Sequence, residues 1–180
     1  MTRNIYALLV GIDKYQDPVP SLQGCVNDIT AIAQYLEERV TQDQDQLHLH
    51  ILQDREATRQ AIIDGFRQHL CNAQSNDVVL FYYSGHGSQE QAPQEFWHLE
   101  PDKLNETLVC YDSRQEGGWD LADKELAKLI TEVSAKTHTL LLFLIAVIPV
   151  LGLKIHFKKQ ESASLPQTSA NDPWIALSLN

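Results

Sequence analysis

At 180 residues, with 43% hydrophobic and 21% charged side chains, the chain is long enough for one domain with a real core and too apolar to be largely disordered. Its 24 acidic against 14 basic side chains give a net charge of -10, which argues against a nucleic-acid surface and favours cationic partners. Cys25, Cys71 and Cys110 are odd in number and widely spaced, which suits a reducing, cytoplasmic compartment better than a disulfide framework, and Met1 to Ile12 has too little apolar length for a signal peptide.

Ile5 to Ile12 is a run of buried-strand type that closes in Gly11-Ile12-Asp13 and a loop rich in Asp and Pro. Ile29, Ile32, Ala33, Leu36 and Val40 recur at helical spacing and predict a helix, with Asn27 or Asp28 as its cap. Leu47, Leu49 and Ile51 alternate with His48 and His50, the period of a half-exposed strand with solvated histidines. Thr58 then precedes a helix carrying Ile62, Ile63, Phe66 and Leu70. Val78 to Tyr83 is an unbroken apolar run, the pattern of a strand buried on both faces, and Ser84-Gly85-His86-Gly87 follows at once. This predicts that the strand stops there and that His86 sits on a tight turn at its carboxyl end, where open α/β sheets place their chemistry. The flanking glycines suit positive φ and close approach of a substrate, and histidine is the side chain that exchanges protons near neutral pH. Glu90 to Asn105 reads as a surface loop, Glu106 to Tyr111 as a short extended segment, and Asp123 to Val133 as a helix with Leu126, Leu129, Ile130 and Val133 as its stripe. The alternation β-α-β-α-β predicts a mostly parallel sheet with right-handed crossovers and helices on both faces.

The opening L-L-V-G-I-D-K-Y, the segment L-Q-G-C-V-N-D, the strand ending in Y-S-G-H-G, and the later E-T-L-V-C-Y-D-S and L-A-D-K-E-L together resemble the caspase-like cysteine peptidases, in the branch of the metacaspases and their bacterial relatives. The resemblance runs from about Ile5 to Leu142 and implies a three-layer α/β/α sandwich around a central, mostly parallel sheet, incomplete at its C-terminal end. It implies cysteine-type proteolysis after Arg or Lys, with His86 as general base of a Cys/His dyad, since a thiol needs a nearby imidazole to become thiolate. Cys25, Asp28 and Ser84 match positions of the substrate pocket, with Asp28 pairing the substrate cation. Read without the resemblance, Cys25 and Asp28 are a small buried residue and a helix cap. Some members bind calcium through carboxylates that Asp112 and Asp123 match, but Lys124 stands where a second carboxylate is common, so no cofactor is required and calcium is doubtful. Read alone, Asp112 and Asp123 are turn residues.

The family's nucleophile stands on the next strand in D-C-C-H-S-G or D-S-C-H-S-G, and this chain has neither. In that place stands Leu140 to Leu153, hydrophobic and patterned unlike the rest of the fold. Codons allowed for Leu142 to Gly152 can be chosen so that a frame starting at the third base reads Val-Phe-Asp-Cys-Cys-His-Ser-Gly-Ser-Gly, and the same frame over Asn171 to Ser178 permits R-P-L-D-S-F-I, like a later segment of these peptidases. The reading that follows is a domain over residues 1–139 that keeps the histidine, lacks the nucleophile and is inactive, with an out-of-frame tail over 140–180. Expected partners are basic, Arg- or Lys-containing peptides or an intact relative, and not nucleic acid. The alternatives are a non-catalytic binding module and a membrane-attached regulator using 140–153, a stretch shorter than the roughly 20 residues that span a bilayer but flanked by Lys136, Lys154, Lys158 and Lys159.

Overall fold

The computed structural model of the chain describes residues 2–91, 94, 103–137 and 139–147. In chain order the elements are β1 (Asn4–Gly11), α1 (Cys25–Asp43), β2 (Gln46–Gln53), α2 (Arg59–Asp64), β3 (Val78–Gln91), β4 (Leu104–Leu108), β5 (Leu121–Ala122), α3 (Asp123–Ser134) and β6 (Thr139–Val147). β1 pairs in parallel with β2 and β3, and β3 pairs in parallel with β6, whereas β3–β4 and β4–β5 are antiparallel. The sheet is therefore mostly parallel, with a small antiparallel extension at one end.

Side chains that alternate along β1 and β3 divide the core into two layers. Ala7, Leu9, Leu80 and Tyr82 face α1 and pack on Ile29, Ala33 and Leu36. Leu8, Val10, Val79, Phe81 and Tyr83 face the other way, onto Ile62, Phe66 and Leu70 and onto Leu126, Leu129 and Val133 of α3. The continuous apolar run of β3 thus reflects burial on both faces, and the Phe66 and Phe81 rings meet at 4.6 Å across one of them. The three layers are those expected.

Several boundaries differ from the sequence reading. The helix after Thr58, whose hydroxyl accepts from Ala61 N–H, is α-helical only to Asp64; it widens into a π turn over Gly65–His69 and tightens into a 3-10 turn over Leu70–Asn72. Neither Asn27 nor Asp28 caps α1. Both lie inside the helix, whose N-cap is Gly24 at φ 113°, a conformation open to glycine because it has no Cβ. The capping acceptor comes from the loop before it: Asp13 Oδ1 takes Cys25 N–H at 2.9 Å and Oδ2 takes Val26 N–H at 3.2 Å. Most consequentially, β3 does not stop at Tyr83 but runs on through the glycines to Gln91. Of the stretch expected as a loop, Glu90 and Gln91 end β3 and Leu104 and Asn105 open β4, while 92–93 and 95–102 lie outside the described residues. Thr139–Val147 enters the sheet beside β3, so the apolar stretch set apart as a tail contributes a strand; 148–180 lie outside the described residues. Among the described residues no helix is long and apolar enough to cross a membrane.

β2 is the outer strand next to β1, and its histidines are not both solvated. His48 stacks on Tyr6 at 4.5 Å and its Nε2 lies 3.1 Å from Asn4 Oδ1. His69 lies 5.5 Å from the His50 ring and donates from Nε2 to the carbonyls of Ala7 and His48 at 3.2 and 3.1 Å. Burial, with the nearby His50 and His48, holds His69 below the ordinary histidine range. A proton is therefore taken up more readily by the unfolded chain, and the His69 contribution to stability is present above the unfolded pKa and lost as pH falls through it toward the folded value. The urea midpoint is expected to fall as pH drops from about 7 to about 5.5, and to fall less in His69→Gln, whose amide still donates to the carbonyls; equal pH slopes in the two proteins would count against this.

Candidate functional site

The site forms where β1 ends and β3 continues. Gly11 pairs with Ser84, Ile12 N–H donates to the Ser84 carbonyl at 3.0 Å, and beyond that point β3 has no β1 beside it. His86 is the last residue of β3 in parallel register with β6, opposite Val147, and Gly87 is the first in antiparallel register with β4, opposite Leu108. The imidazole does lie at the carboxyl end of the parallel strands, but on a strand whose pairing changes there and not on a turn. The glycines also serve differently from the expectation: among the described residues the positive-φ glycines are Gly24 and Gly117, not Gly85 or Gly87.

Gly85 serves close approach. A Cβ there would stand 2.6 Å from the hydroxyl oxygens of both Tyr15 and Tyr83. Those hydroxyls hold the His86 peptide from two sides. Tyr15 accepts from His86 N–H at 2.8 Å, and Tyr83 donates toward the carbonyls of His86 at 2.8 Å and Val109 at 2.9 Å. Burial, the leading cause, pushes Tyr15 up to about 12, so the phenol stays neutral and keeps its hydrogen-bonding role across the physiological range. The Tyr15 ring also packs beside the imidazole, with centroids 5.0 Å apart.

The imidazole is itself oriented. His86 is only 3% exposed, and its Nε2 lies 2.8 Å from the Pro20 carbonyl oxygen. A carbonyl can only accept, so Nε2 carries the hydrogen and the lone pair of the neutral ring is on Nδ1. A base fixed in one tautomer and one orientation is the arrangement that general-base chemistry uses.

Beside it stand the three residues expected to shape a pocket, and the structure brings them together. Ser84 Oγ donates to Asp28 Oδ2 at 2.9 Å, and Cys25, one turn before Asp28, lies against both. Burial foremost, with the Asp13 and Asp28 carboxylates adding, raises the Cys25 thiol above its ordinary range, while the Ser84 hydroxyl opposes them. Burial first and then Asp28 raise Tyr82 in the same way. Asp28 thus imposes a negative field on this corner, and its partner among the described residues is a neutral hydroxyl with no cation.

The two carboxylates matched to calcium ligands each already meet another group of the protein. Asp112 Oδ1 accepts from Arg59 N–H at 2.8 Å at the start of α2, whereas Asp123 lies 3.3 Å from the Lys124 ammonium at the start of α3. Among the described residues no group of three or more His, Cys, Asp or Glu side chains is arranged to hold a metal. An ammonium on the candidate ligand does not fit a divalent cation there. The other cysteines offer no activated thiol: burial pushes Cys71 up, and Cys110, wholly buried, much further. Tyr15, Tyr83 and the Pro20 carbonyl escaped the sequence reading. Tyr15 closes L-L-V-G-I-D-K-Y and Tyr83 opens Y-S-G-H-G, but neither is given a role there, and a backbone carbonyl leaves no trace in a sequence.

Gly85→Ala is expected to destabilise the protein by about 1–3 kcal/mol through the clash with both tyrosines, read as a lower urea midpoint at unchanged slope. A wild-type midpoint would mean that the two hydroxyls can give way.

A model of the metacaspase, peptidase C14 domain matches residues 6–145. The chain is 32% identical over 132 residues to Metacaspase-1 of Schizosaccharomyces pombe, covering 70% of this chain and 29% of that protein. It is 36% identical over 124 residues to Metacaspase-1 of Mycosarcoma maydis, covering 67% and 29%. The chain therefore spans about three tenths of these relatives' length. A crystal structure of a Geobacter sulfurreducens protein superposes with a TM-score of 0.59 at 23% identity, over 79% of this chain and 48% of that one.

Proposed function

The chain belongs to the metacaspase, peptidase C14, family, and from that premise we propose that its caspase-like cysteine peptidase domain keeps the histidine base and a half-site for Arg or Lys side chains but hydrolyses nothing, because it lacks the nucleophile. The observation that carries this reading is the register of β6: the residue beside His86 is Val147. With the codons chosen for the shifted frame, the cysteine common to both forms of the motif would be encoded across those of Ala146 and Val147.

The chemistry agrees. A thiol attacks as its thiolate, and each of the three thiols in the sequence is pushed up by burial, away from thiolate. An oriented imidazole without a thiol has nothing to activate, and losing one member of such a unit removes nearly all of its rate. The half-site for a basic side chain rests on Asp28, a carboxylate with a neutral partner and a charge available to an incoming cation. A domain of this kind acts by holding basic peptides or by pairing with an intact relative.

The purified chain is expected to leave an Arg-terminated reporter peptide uncleaved; cleavage that disappears in His86→Ala would overturn the reading. Val147→Cys or Ala146→Cys is expected to create a thiol that iodoacetamide modifies rapidly at neutral pH, with the rate falling when His86→Ala is added. Two slow thiols, indifferent to His86, would show that position 147 is not the vacated one. An Arg-containing peptide is expected to bind, and Asp28→Asn to weaken it by about tenfold or more. Titration to high concentration without binding would leave a remnant with no retained half-site. Resequencing the gene across the codons of Lys136 to Asn180 separates a natural lesion from a misread one.

A further inference from the structure

Lys124 occupies the second position of α3, in the first turn of the helix, where the macrodipole disfavours a cation. Its side chain nonetheless folds inward, 25% exposed, with Nζ 2.5 Å from Asn105 Oδ1 and 3.3 Å from Asp123 Oδ1. Asn105 is a buried polar residue, 3% exposed, and ammonium is the cation that meets its oxygen. Two residues along the same face of β4, Thr107 Oγ1 donates at 2.7 Å to Asp120 Oδ2, which also takes Arg114 at 2.6 Å. Asp120 has a side chain only 4% exposed, and its Oδ1 is buried without a hydrogen-bond partner. Arg59 pairs with Glu125 one residue beyond Lys124. Along this edge Asp120, Asp123 and Glu125 are thus each met by a side-chain cation of the protein itself.

We propose that Lys124 is a built-in counter-ion: its ammonium stands at the β4–α3 edge in place of a divalent cation and makes the domain indifferent to calcium. The oxygens of Asn105 and Asp123 are hard donors of the kind calcium takes, but a calcium ion needs six to eight of them and cannot share them with an ammonium at hydrogen-bond distance. Removing the ammonium leaves the oxygens of Asn105 and Asp123 without it, while Asp120 keeps Arg114. The inference concerns how the fold balances its charge and stands apart from whether the domain cleaves or binds peptides.

The test is thermal unfolding of the full chain with and without millimolar calcium, against sodium chloride at matched ionic strength, for wild type, Lys124→Asp and Lys124→Gln. The wild-type midpoint is expected not to move with calcium. Lys124→Asp is expected to unfold at lower temperature and to regain about 5 °C, saturably, with calcium but not with sodium. Should the aspartate variant fail to fold, Lys124→Gln decides, since it removes the charge and keeps an oxygen donor; a calcium-specific rise there supports the proposal. Saturable stabilisation of the wild type by calcium would overturn it, as would calcium indifference in every variant that folds.

Discussion

Everything about this site depends on one strand satisfying different partners along its length. β3 lies in the middle of a parallel sheet as far as Ser84 and is an antiparallel partner from Gly87 onward. At the change, the N–H and C=O of His86 cannot rely on the neighbours that served the residues before it, and a buried backbone group without a partner is costly. Two tyrosine hydroxyls and the N–H of Val109 take up that role. Gly85 is what lets the hydroxyls reach, and the same contacts that satisfy the backbone hold the imidazole still.

Charge is distributed with similar economy in a chain of net charge -10. Its carboxylates are mostly committed to building the fold. Asp13 caps α1, Asp54 Oδ1 takes the N–H groups of Asp13 and Lys14, and Asp77 binds the Asn4 side chain and the Gln74 N–H. Others pair with cations, as Asp45 does with Arg3, Glu132 with Arg67 and Asp120 with Arg114. Asp28 meets the Ser84 hydroxyl, and it lies in the first turn of α1, where the helix macrodipole favours a negative charge. Asp13 supplies the cap that Asp28 was expected to provide, and the Asp28 carboxylate accepts from Ser84 instead.

The strand β6 illustrates how little a parallel sheet asks of a sequence. An apolar run beside a strand buried on both faces will pair with it through backbone groups whatever the side chains, because the ladder carries no side-chain code. Thr139–Val147 takes up that place in register with Val78 to His86. The place of this strand in the sheet is therefore set by backbone pairing along β3 and not by the identity of its side chains.

Much of this was written locally. The double-faced burial of β1 and β3 and the apolar stripes of α1 and α3 come from the period of the apolar residues, and His86 was legible because a glycine-flanked histidine after a buried strand is a pattern along the chain. Ser84, Asp28 and Cys25 were legible only through a family resemblance; nothing in their spacing says that they meet. What tertiary structure alone decided are the relations between distant segments: that Asp13 and not Asn27 or Asp28 caps α1, that Pro20 orients His86 across 66 positions of sequence, that β3 continues past its glycines because β4 is there to pair with it, and that Lys124 turns inward to Asn105. Local pattern fixes which face of an element is buried, since that depends on neighbours three or four residues away. Which oxygen meets which donor depends on how the chain returns, and no short-range period encodes it.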